Sequence, residues 1–171
     1  MMSKPSPDQY TPNYQAYIGL IEEDNLIAAL ENGQRKVREF ILSFPKDRLE
    51  YVYEAGKWTI RQVLLHITDT ERIMSYRALR FARNDQTNLP GFDQDQYMQF
   101  ANISGRKLPQ LSEEFMITRE STLSLFRTFD ETCLKRQGTA NGKGVSVLAL
   151  GYIIAGHCQH HLNILNQKYL S

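Results

Sequence analysis

The stretch Gly56-Lys57-Trp58-Thr59-Ile60-Arg61-Gln62-Val63-Leu64-Leu65-His66 carries the clearest structural signal in the chain. Thr59-x-x-Gln62 is a capping box, in which the two side chains satisfy backbone N–H groups that a first helical turn leaves unpaired. Trp58 before the cap and Val63 inside it are spaced for a hydrophobic staple. Ile60, Val63, Ile67, Met74, Ala78 and Phe81 then recur at helical spacing. The stretch therefore opens a helix that runs to about Arg83 and stops at Asn84-Asp85.

Outward from that helix, the same periodicity predicts three more long ones. Leu26, Ile27, Leu30, Val37, Phe40 and Ile41 mark a helix over residues 24–43, closed by Phe44-Pro45. Ser112-Glu113-Glu114 opens another that ends near Phe129, with acids favourable in its first turn. The last begins near Ser146 and continues to about Tyr169. A long connection over 84–111 holds one short helix near 94–101, capped by Asp93. Residues 137–144 carry three glycines and read as a loop, and no segment shows a strand pattern. Residues 1–13, with Pro5, Pro7 and Pro12, read as an extended lead-in to a single domain spanning 1–171. The fold class is all-α, a four-helix bundle. The long second connection argues against a plain up-and-down order.

Composition narrows the function classes. Twenty Lys+Arg against nineteen Asp+Glu give a net charge of +1, without the basic excess of a general nucleic-acid binder. Two cysteines, Cys133 and Cys158, are too few for a disulfide scaffold and lack Cys-x-x-Cys spacing. The N-terminus has no apolar stretch of the signal-peptide kind, and the longest nearly apolar run, 147–156, is about half a membrane span. The expectation is a cytoplasmic protein that touches neither membrane nor nucleic acid.

The histidines are unevenly placed. There are four, at His66, His157, His160 and His161, and three of them fall within five positions. On a helical wheel His157 and His161 lie about 40° apart, in the middle of the last helix's apolar stripe, and about 6 Å apart along its axis. His160 falls at the edge of that stripe. His66 lies on the flank of the second helix's apolar face, facing a partly wet cleft. Two core imidazoles are costly unless each finds a polar partner, and a divalent ion can accept a lone pair from both. His66 is placed to supply a third. Hydrogen-bonded core histidines without metal are the competing reading. Asp69 could orient His66 or be an exposed helix acid. Arg72 and Arg77 could bind an anionic substrate or form surface pairs with Glu71. Asp93 and Asp95 could close over the site. The absence of His-Glu-x-x-His argues against a zincin-type peptidase, and the absence of Glu-x-x-His removes the di-iron carboxylate pattern.

Several segments together resemble the DinB/YfiT-like superfamily. They are the opening stretch through His66, Asp69-Thr70-Glu71-Arg72, Tyr76-Arg77-Ala78-Leu79-Arg80, Leu89-Pro90-Gly91-Phe92-Asp93-Gln94-Asp95, and Ile154-Ala155-Gly156-His157-Cys158-Gln159-His160-His161. The resemblance implies a mirror variant of the up-and-down four-helix bundle, often paired as a homodimer. It also implies one divalent metal, zinc or nickel, held by His66, His157 and His161. Implied activities are those of metal-dependent hydrolases and of transferases that use low-molecular-weight thiols, acting on a small-molecule substrate. A non-catalytic metal-containing binding or stress-response protein is the alternative. None of these readings names a catalytic base.

Overall fold

The structure, a computed structural model, describes residues 4–170. After 3-10 turns at Pro7–Gln9 and Pro12–Tyr14 come α1 (Gln15–Ile18), α2 (Leu26–Ser43), α3 (Ile60–Ala82), α4 (Gln94–Phe100) and α5 (Leu108–Arg127). There follow α6 (Glu131–Lys135), a hairpin of β1 (Gln137–Ala140) and β2 (Lys143–Ser146), and α7 (Val147–Ile164), which ends in a π turn at Leu165–Tyr169. Four helices, α2, α3, α5 and α7, make the bundle.

Five of the seven helices, α2, α3, α4, α6 and α7, start where a side chain takes up orphan N–H groups. Asn25 Oδ1 accepts from Ala28 N at 2.9 Å, and Ser146 Oγ accepts from Ala149 N at 3.0 Å. The capping box of α3 forms as its sequence requires, with Gln62 N donating to Thr59 Oγ1 and Thr59 N to Gln62 Oε1. Asp93 caps α4 through Asp95 N and Gln96 N. The core behind these caps includes Leu30, Ile60, Phe81, Leu123, Leu150 and Ile153, all almost fully buried. Each such side chain contributes about 1.5–3 kcal/mol of transfer free energy.

Packing fixes an unusual order. Both α2 and α3 pack against α5 and against α7. Consecutive helices α2 and α3 therefore occupy diagonal corners, as do α5 and α7. The order departs from up-and-down, as expected, but not at the long second connection, which joins the neighbours α3 and α5. The diagonals are crossed by the segments before α3 and after α5.

Other sequence expectations are corrected. The loop expected at 137–144 is the hairpin, paired from Gln137↔Ser146 to Ala140↔Lys143. Asn141 and Gly142 both have positive φ, as a two-residue hairpin turn requires. Its short strands escape notice because Gln-Gly-Thr-Ala and Lys-Gly-Val-Ser show no apolar alternation. The third long helix starts at Leu108, four residues before Ser112, because Pro109 suits a first turn. The described part of the lead-in is not simply extended: it holds the two 3-10 turns, and Tyr10 is buried and bridges to Val145. Among the described residues no helix is long and apolar enough to cross a membrane.

One close approach ties α1 to the part of α7 that bears the histidines. A Cβ on Gly156 would stand 2.1 Å from the carbonyl oxygen of Tyr17, a backbone atom that no rotamer change can move. Gly156→Ala is expected to lower the unfolding free energy by about 1–3 kcal/mol, read from the denaturation midpoint. An unchanged midpoint would mean that α1 does not rest on α7 here.

Candidate metal centre

His66 projects from the second turn of α3, and His157 and His161 from the C-terminal half of α7, one turn apart on the same face. Because α3 and α7 are bundle neighbours, the three rings meet between them. His66 Nε2 lies 3.0 Å from His157 Nε2, and His161 Nε2 lies 3.1 Å from the same atom. Ring centroids are 4.5–4.8 Å apart. Among the described residues these three form a group whose ligand atoms all lie within 4.8 Å of one another. His160 stands outside, its ring edge-on to His161 and to Tyr17.

Burial differs from the wheel positions. His66, expected on a partly wet flank, is 3% exposed, because Trp58 covers it with ring centroids 4.8 Å apart. His157 is buried as expected. His161, expected in mid-seam, is half-buried and forms the opening of the cluster to a cleft of about 400 Å³.

The electrostatics favour neutral rings. Burial, with a contribution from His160, lowers the His66 pKa to about 4. Burial, with His66 and His160, lowers that of His161 to about 3. His157 is held well below the usual imidazole range by burial and by the three other imidazoles. A neutral imidazole has one N–H and one lone pair. At His157 Nε2 two neighbouring nitrogens compete for a single hydrogen-bonding position, so hydrogen bonds alone leave one buried nitrogen poorly matched. A cation accepting all three lone pairs removes that conflict. Two ligands each about 2.0–2.1 Å from one tetrahedral ion would be separated by about 3.3 Å, close to the 3.0 and 3.1 Å that separate His157 Nε2 from the other two nitrogens.

Surrounding residues sort differently from the sequence reading. Thr70 Oγ1, not Asp69, faces His66 Nδ1, at a long 3.5 Å. Asp69 turns to Arg72 at 3.3 Å, and Arg72 also binds Glu114 at 2.7 Å. Arg77 donates to Pro90 O at 2.8 Å and braces the long connection. Asp93 is a helix cap, while Asp95 lines the cleft beside His161.

Glu71 is no surface partner of Arg72 or Arg77. It is 2% exposed and pairs with the fully buried Arg119 through two bonds of 2.7 and 2.8 Å. Glu71 and Arg119 both fall within the apolar stripes of their helices, the one signal that could have exposed this pair. Cys158 is buried, and burial pushes its thiol pKa up to about 11, with Arg119 opposing.

Fold and cluster together define a class of protein, the helical bundles whose histidines converge between two neighbouring helices. Within that class the chain belongs to the DinB superfamily, whose family model matches residues 29–165. A relative from Oceanobacillus iheyensis, named "Putative metal-dependent hydrolase", is 28% identical over 137 residues, covering 78% of this chain and 77% of its own. Among solved structures, YfiT from Bacillus subtilis superposes with a TM-score of 0.72 at 16% identity, over 99% of this chain and 93% of YfiT. YfiT is described as a probable metal-dependent hydrolase with an unusual four-helix bundle topology. At that identity the likeness establishes the shared fold.

Proposed function

We propose that the protein is a metal-dependent hydrolase of small molecules, with one divalent ion, zinc or nickel, held by His66, His157 and His161. The observation that carries this reading is the convergence of three neutral, largely buried Nε2 atoms on one point. The description of the Oceanobacillus relative and of YfiT as metal-dependent hydrolases supports it. A divalent ion bound there would act as a Lewis acid and bring the ionisation of water or of a thiol towards neutral pH.

The chain's own residues supply the rest. His66 and His157 are fixed by burial, and Trp58 lies against the His66 ring. Thr70 Oγ1 stands next to His66 Nδ1 and favours the tautomer whose Nε2 lone pair points inward. His161 alone borders the cleft, so a substrate approaches past its ring. Three neutral ligands leave the full double charge of the ion uncompensated, which suits a reaction that develops negative charge on oxygen or sulfur.

The test is a screen of small esters and amides with protein reconstituted in zinc or nickel, with and without low-molecular-weight thiols. The expected result is turnover that needs the metal and proceeds without thiol. Turnover strictly dependent on a thiol would replace hydrolysis by thiol transfer at the same site. Stoichiometric metal without turnover of any substrate in either arm would favour a non-catalytic binding or stress-response role.

A further inference from the structure

The cleft beyond His161 has a composition of its own. Tyr53, Trp58 and Tyr169 form its aromatic wall, and Lys57 and Asp95 border it. The wall is pre-set. Tyr169 Oη donates to Trp58 O at 2.6 Å, and the Tyr53 and Tyr169 rings meet edge to face at 5.0 Å. Trp58 in turn leans on His66. Three aromatic side chains from the segment before α3 and from the C-terminal π turn are thus held around a space of about 400 Å³.

The two charges are the informative part. Among the residues that line the cleft, Lys57 and Asp95 are the only charged ones. Lys57 and Asp95, both exposed, form no ion pair among the described residues, with each other or with anything else. They reach the cleft from different elements, Lys57 from the segment before α3 and Asp95 from the first turn of α4. A purely apolar guest would leave both charges without a partner. A simple anion would meet Asp95, and a simple cation would meet Lys57. A guest carrying both charges on a flat apolar body satisfies every wall at once.

We infer that the cleft binds small zwitterions with a flat apolar body, of the class of aromatic α-amino acids and their conjugates that keep both charges. The carboxylate faces Lys57, the ammonium faces Asp95, and the ring lies against Trp58 and the two tyrosines. That this guest is the recognised half of the substrate rests on the metal-dependent reading above; the binding chemistry of the cleft does not need the ion.

The test exploits Trp58, the only tryptophan in the chain, as an intrinsic fluorophore. Full-length protein, both metal-free and zinc-loaded, is titrated with L-phenylalanine, 3-phenylpropionate and 2-phenylethylamine. Phenylalanine is expected to change the emission saturably, binding up to about fivefold more tightly than either singly charged analogue. Lys57→Gln should reduce phenylalanine to the affinity of the amine, and Asp95→Asn to that of the acid. Both residues are exposed and unpaired, so neither variant threatens the fold. Equal affinity for the three ligands overturns the inference, as does the absence of saturable change up to about 10 mM, the weak end of specific binding. Zinc retained without phenylalanine binding removes the cleft assignment and leaves the metal reading standing. Phenylalanine bound by protein that retains no zinc does the reverse.

Discussion

Removing the carboxylate of Glu71 while leaving Arg119 in place is expected to lower the unfolding free energy by about 3–5 kcal/mol. Arg119 is 0% exposed, and its Nε and Nη2 donate to the two Glu71 oxygens at 2.7 and 2.8 Å. Its third contact, Nη1 to Leu30 O at 2.7 Å, reaches across to α2. Gly33 makes room for that reach, since a Cβ there would stand 2.9 Å from Nη1. Burial alone would lower the arginine's pKa; the Glu71 charge and hydrogen bonds outweigh it and hold the guanidinium above the usual arginine range. Glu71→Leu therefore strands a cation in the centre of the bundle. Arg119→Met strands the carboxylate instead and should cost a similar amount. The double variant Glu71→Leu with Arg119→Met leaves no charge behind and should recover much of the loss, because a buried pair is stabilised by its mutual satisfaction more than by any net gain over apolar packing. Equilibrium denaturation of the three variants checks this. Single losses below about 1 kcal/mol would contradict it, the size expected of an exposed pair. So would a double variant as unstable as the sum of the singles.

The pair also shows where the sequence was legible and where it was not. Periodicity located α2, α3 and α7 to within a few residues because their apolar stripes are dense and their caps explicit, as at Thr59 and Ser146. It placed His157 and His161 in one apolar stripe, where two imidazoles are conspicuous, and His66 followed as the histidine on another helix placed to join them. Glu71 went unnoticed although it too falls within an apolar stripe, because its sequence neighbours Asp69 and Arg72 make the segment read as an ordinary charged helix surface, and its partner lies 48 residues away on another helix. The hairpin was hidden because its strands are only four residues each and owe their place to Tyr10, Leu89 and Phe81 packed nearby, not to their own pattern. Helix order was equally out of reach, since diagonal placement of α2 and α3 depends on which faces fit, and an apolar stripe does not say which partner it will meet.

His157→Ala is expected to reduce metal affinity by more than the roughly 10–100-fold that loss of a supporting contact costs, since it removes a ligand outright. His157 is the hinge of the cluster: its Nε2 is the atom that both other rings approach, at 3.0 and 3.1 Å. His160→Ala, by contrast, should leave metal content unchanged, because that ring lies outside the converging set. Metal analysis after reconstitution reads both, and stoichiometric metal in His157→Ala would end the three-histidine assignment. The pH dependence follows from the same burial. Free imidazoles begin to bind protons near pH 6.5. With His66 lowered to about 4 and His161 to about 3, protons compete for these nitrogens only well below that. Loading at fixed free metal should stay flat from neutral pH down to about pH 5 and fall as pH approaches 4. Metal-free protein behaves differently, because its unfolded chain takes up protons first. Its stability is complete above about pH 6.5 and declines as pH falls below it, by up to about 1.4 kcal/mol per pH unit for each depressed histidine. Between pH 6.5 and 5 the metal-free protein should therefore weaken while the site, where folded, still binds its ion fully. A loading curve that halves near pH 6.5 would mean that the rings are wetter than their burial in this fold allows.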